Sequence, residues 1–156
     1  MASRTRRGPK ESCSIRTPEQ VRWDFVTGWL AKAEDDLAAA RLILGGSLHS
    51  WDTSSFHAQQ AAEKTLKALL VRHQVNFRKS HDIGEHLQLA EPCAPGISAE
   101  LAAANTLTTY AVDTRYPGLE PVTKAEAERH ADLADRVLTS VRQHLASYLS
   151  AGRPSA

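Results

Sequence analysis

Three groups of side chains carry the functional groups that proton transfer and phosphate binding need. Gln60, Glu63, Lys64 and Lys67 lie within WDTSSFHAQQAAEKTLKALLVRHQ (51–74), Arg78, Lys79, His81 and Asp82 follow it, and Asp113, Arg115 and Tyr116 come later. A histidine exchanges a proton near neutral pH, while lysine and arginine hold a phosphate or steady charge that develops on it. Each group also has a structural use. Ser80-His81-Asp82 can cap a helix, Arg115 can anchor a turn through carbonyls, and Lys64 and Lys67 can simply be solvated. Metal chemistry has less to stand on. His81 and His86 are five apart and His130 and His144 fourteen apart, and none forms the i, i+4 pair with a third ligand that a helix-borne zinc site requires. No metal and no cofactor are assigned. Glu34, Asp35 and Asp36 are consecutive, so on a helix they spread over nearly a full turn and read as a solvated face.

The elements that must position these groups are helices. Residues 51–74 contain no Gly or Pro and are rich in Ala, Leu, Glu, Lys and Gln in their second half, a strong helix composition. Gln60, Lys64 and Lys67 fall at i, i+4 and i+7 beside an apolar stripe. The small Ala61 and Ala62 let another helix approach closely. This segment reads as the central helix of a bundle with one polar edge facing a cleft.

Upstream, Thr17-Pro18-Glu19-Gln20 is a helix start with a capping box and a proline at the first helical position. Val21, Phe25, Trp29, Ala33, Leu37, Ala40 and Leu44 recur at helical spacing as the expected inward stripe, and Gly45-Gly46 is the stop. Only Ser47 to Ser50 separate this helix from the next, which implies an antiparallel hairpin.

Downstream, Ser80 is placed to cap a short helix holding Ile83, Leu87 and Leu89, ended by Pro92, Pro95 and Gly96. Ser98 or Ala99 starts a fourth helix with Leu101, Leu107, Tyr110 and Ala111 inward. The run Asp113 to Gly118 breaks it, presenting Arg115 where helix gives way to turn. Thr123 to Glu126 is a second capping box, opening a last helix to about Leu149 with Ala127, Ala131, Ala134, Leu138, Val141, Leu145 and Leu149 inside. The reading is all-α: an antiparallel bundle of about five helices over 17–149, with a disordered basic arm over 1–16 and a flexible tail over 150–156. No strand, phosphate-binding Gly-rich loop or internal repeat is found.

The chain of 156 residues is long enough to bury one core. With 19 Lys plus Arg against 18 Asp plus Glu, the net charge of +1 argues against broad coating of nucleic acid and leaves room for a local basic patch. Cys13 and Cys93 lack metal-ligand spacing, and reduced thiols are expected. No apolar run approaches the roughly twenty residues that cross a bilayer, so no membrane association and a cytoplasmic location are expected.

An ordered set of motifs carries a family resemblance. Trp29 with Ala33, Asp36 and Leu37 comes first, then Phe56-x-x-Gln59-Gln60-Ala61-Ala62-Glu63-Lys64-x-Leu66-Lys67-Ala68-Leu69-Leu70, then Ser80-His81-Asp82-Ile83, then Tyr110-x-x-x-x-Arg115-Tyr116-Pro117-Gly118. Together they resemble the HEPN domain (higher eukaryotes and prokaryotes nucleotide-binding) over about Trp23 to Leu149. The resemblance implies an all-α bundle that commonly forms homodimers, with a polar cleft suited to nucleotide or RNA. Many such proteins bind a minimal nucleotidyltransferase, often as the toxin half of a toxin–antitoxin pair.

Many toxic members are metal-independent endoribonucleases with an Arg-x(4–6)-His motif, and this chain departs from it. Eight residues separate Arg72 from His81, two separate Arg78 from His81, and no histidine follows Arg115 at the required distance. The first functional reading is therefore a nucleotide- or RNA-binding module, partner of a nucleotidyltransferase, using Gln60, Lys64, Lys67, His81, Asp82, Arg115 and Tyr116. The second is a metal-independent endoribonuclease in which His81 and Arg115 meet from separate segments. The third is a helical scaffold without ligand.

Overall fold

A computed structural model describes residues 15–111 and 120–155. Its described residues form helices and connecting turns, with no strand among them. Helix α1 is Pro18–Gly45, α2 Trp51–Arg72, α3 Ile83–Ala90, α4 Ile97–Glu100, α5 Lys124–His144 and α6 Ala146–Ala151; a 3-10 segment, Ala102–Ala111, follows α4.

Both capping boxes are present. Thr17 Oγ1 accepts from Gln20 N while Gln20 Oε1 accepts from Thr17 N, and Thr123 and Glu126 do the same at the head of α5. These pairs satisfy backbone donors that a helix start leaves free. The cap of α3 is Asp82, whose carboxylate accepts from Glu85 N at 3.0 Å, and not Ser80 as expected. Ser80 Oγ instead accepts from Asp82 N at 3.1 Å, one step earlier.

The α1–α2 hairpin is antiparallel. Ser54 Oγ donates to the Ala40 carbonyl at 3.0 Å, Asp36 meets His57 and Lys64, and Trp29 faces Lys67, so contacts run down α1 as they run up α2. Ala40, Ala58, Ala61 and Ala62 are buried in this region, and side chains that small let the helices close on each other. Helix α5 packs chiefly on α2, and α3 with the 3-10 segment covers the other side.

Further expectations are revised. The buried stripe of α1 is Val26, Leu30, Ala33, Leu37 and Ala40, a 4-3-4-3 spacing, and Phe25 is 59% exposed. Helix α1 must serve α2 and α5 together, which turns Val26 inward and swings its neighbour Phe25 out. The fourth helix is mostly 3-10: Leu101, Ala104 and Leu107 are buried at three-residue intervals, the repeat of that tighter coil. Thr106 Oγ1 also bonds the Ala103 carbonyl at 2.9 Å. In the last helix, Leu145 breaks the run and Leu149 is half-buried, packed against the core.

The terminal segment expected to be loose has anchors. Arg153 reaches Asp24 through two bonds of 2.8 and 3.0 Å, and Gln20 Nε2 donates to the Pro154 carbonyl at 3.1 Å. Among the described residues no helix is long and apolar enough to cross a membrane.

Candidate functional site

Glu63 is the centre of the polar cluster. Its side chain is 4% exposed on α2, where it accepts from Lys67 Nζ at 2.5 Å, Gln59 Nε2 at 2.9 Å and His81 Nδ1 at 3.0 Å. Burial pushes its carboxyl pKa up, but the hydrogen bonds from Lys67, Gln59 and His81, with the Lys67 charge, outweigh burial and hold it below the usual range. Glu63 is therefore an ionised acceptor. The tautomer of His81 follows: Nδ1 must carry a hydrogen toward Glu63. The His81 side chain is 59% exposed, and Nε2 meets no partner among the described residues. Gln59 fixes the loop as well, because the same Nε2 donates to the His81 carbonyl at 3.3 Å, and Gln60 Nε2 holds Gln59 Oε1 at 2.7 Å.

A second carboxylate–histidine pair lies farther along the hairpin. Asp36 accepts from His57 Nδ1 at 2.9 Å and pairs with the Lys64 ammonium. Lys67 lies 5.7 Å from the Trp29 ring centre and 5.9 Å from that of Phe77, so it touches both the carboxylate and the aromatic wall. Behind the site, His86 is fully buried and neither ring nitrogen meets a hydrogen-bond partner among the described residues. Burial, reinforced by the Lys67 charge, holds its pKa below the usual histidine value, so the ring is neutral at pH 7. On the α5 side, Ser55 Oγ and His130 Nδ1 are 2.8 Å apart and buried, with the Tyr110 ring 4.3 Å from that of His130.

Of the residues singled out from the sequence, Gln60, Lys67 and His81 join one hydrogen-bonded set around Glu63. Lys64 belongs to the neighbouring Asp36 pair, and Asp82 is engaged as the cap of α3. Arg115 and Tyr116 lie outside the described residues. Reading by motif passed over Asp36, His57, Gln59 and Trp29 as site members. For Asp36 and Trp29 a signal existed: both sit at helical spacing beside the buried Ala33 and Leu37, a partly sheltered edge rather than a solvated face.

An all-helical hairpin-based bundle with a buried carboxylate orienting an exposed histidine thus defines the class of module. The chain belongs to the HEPN domain family, whose model matches residues 26–144. It is similar to the crystal structure of TT1696 from Thermus thermophilus, at 33% identity and a TM-score of 0.65, over 78% of this chain and 99% of that one. It is also similar to ST0689, an archaeal HEPN homologue, at 27% identity and a TM-score of 0.63, over 77% of this chain and 97% of that one. A curated relative from Methanocaldococcus jannaschii, named "Putative toxin MJ1304", is 24% identical over 132 residues, which is 75% of this chain and 86% of the relative.

Proposed function

We propose that this HEPN domain is a toxin-class endoribonuclease that cleaves RNA without a metal ion, with His81 as the proton-transfer group. The observation that carries the reading is the Glu63–His81 pair. A buried, ionised carboxylate holds Nδ1 and leaves Nε2 turned to the surface, the orientation that general base catalysis requires. The relative named "Putative toxin MJ1304" supports the toxin class alone.

In this mechanism His81 Nε2 takes the proton of a ribose 2′-hydroxyl as that oxygen attacks the adjacent phosphorus. The bond from phosphorus to the 5′-oxygen breaks, and the proton is returned to that leaving oxygen. The products end in a 2′,3′-cyclic phosphate and a 5′-hydroxyl. Arg115 is assigned to the charge that develops on the phosphate oxygens. In the cell, the module is assigned a homodimeric state and a nucleotidyltransferase partner that restrains it.

The missing Arg-x(4–6)-His spacing favours a second reading, a module that binds nucleotide or RNA without cutting it. RNA cleavage in excess chelator separates the two. Wild type should cut, and His81→Ala and Arg115→Ala should lose about 100-fold or more of the rate while circular dichroism shows the helical fold retained. Well-folded wild type that binds RNA and leaves it intact would decide for the binding module.

A further inference from the structure

We propose that an apolar groove on α1 is a base-stacking subsite for single-stranded RNA, continuous with the His81 centre. The inference rests on the RNA-directed reading above and adds the part of the substrate recognised. The groove encloses about 200 Å³ and is lined by Asp24, Phe25, Gly28, Trp29 and Lys32. Phe25 stands 59% exposed on one side. At Gly28 even a Cβ would meet nothing within 4 Å, so the groove is open at that position.

Three features specify the occupant. First, Lys67 links the two places, since it bonds Glu63 and lies 5.7 Å from the centre of the Trp29 ring that lines the groove. Second, Lys32 on the groove rim has no carboxylate partner among the described residues, whereas Lys64 and Lys67 along the seam are paired with Asp36 and Glu63. Third, the acidic rim group is already neutralised, because Asp24 is held by Arg153 and Arg16. Aromatic faces interleaved with cations bind single-stranded nucleic acid, whose bases are free to stack while the backbone follows the charge. A second copy of this chain is the competing occupant, and the sedimentation arm of the test separates the two.

The test uses the full chain carrying His81→Ala, so that bound RNA is not cut, and measures anisotropy of a short labelled single-stranded RNA. Adding Phe25→Ala should weaken binding about fivefold or more, and Phe25→Tyr should restore it. RNA with abasic nucleotides should bind more weakly to the parent, and Phe25→Ala should then add little. Equal affinity of the Phe25→Ala and Phe25→Tyr proteins for intact RNA would overturn the subsite. So would a shift from dimer to monomer in sedimentation caused by Phe25→Ala, which would give the groove to a second copy. If wild type cuts RNA regardless of Phe25, only the subsite falls. If RNA binding depends on Phe25 while wild type never cuts, the subsite stands and the nuclease reading falls.

Discussion

Glu63 shows what a single residue does in this protein. A carboxylate in the interior needs its lone pairs matched, and Lys67, Gln59 and His81 match them. The same arrangement that makes burial tolerable aims the His81 ring outward. Glu63→Gln keeps the shape and leaves the Lys67 ammonium, 12% exposed, without its counter-charge, a loss of about 3 kcal/mol. The sign of the pH dependence follows from the lowered carboxyl. Between its folded value and the ordinary 4.5, the unfolded chain binds more protons, so the stabilisation is complete above about pH 4.5 and is lost as pH falls through the folded value. Urea unfolding at several pH values should show wild type weakening over that window. Glu63→Gln should be less stable at pH 7 and should lose less stability across that window than wild type does, the remaining loss coming from other carboxylates held low, such as Asp24.

Helices α1 and α2 owe their contact to alanine. Ala62 is fully buried, as are Ala58 and Ala33, and side chains this small let α1 and α2 approach so that Lys64 and Lys67 reach Asp36 and Trp29. Ala62→Leu should cost about 1–3 kcal/mol by overpacking, read as a lower urea midpoint at unchanged slope. The element scale also explains what could be read early. The starts of α1 and α5 were legible because a capping box is a contact between residues three apart, complete within one turn. The 3-10 character of Ala102–Ala111 was not, because Leu101, Ala104 and Leu107 gain from a three-residue repeat only when a core edge is there to receive them.

Across the whole molecule, Arg153 and Asp24 tie the end of the chain to its first helix over 129 positions. The hydrogen bonds from Arg153, chiefly, hold the Asp24 carboxyl at about 2, against an ordinary 3.8. Arg153→Ala should move the Asp24 titration, followed by carboxyl NMR, part of the way back toward 3.8; Arg16 still bonds the same carboxylate and keeps the return incomplete.

From sequence alone came the all-helical architecture, the starts of α1 and α5, the close-packed alanines of α2 and the polar row beside them. Each depends on composition or on side chains within a turn of one another, so local chemistry suffices. Tertiary structure decided the rest. Glu63 and His81 meet from 18 positions apart, and Asp36 becomes a site residue only because α2 folds back on α1. Whether Phe25 or Val26 faces inward is set by two packing partners at once. Helical periodicity finds the stripe; the rotation of the helix about its own axis is settled only by the bodies it packs against.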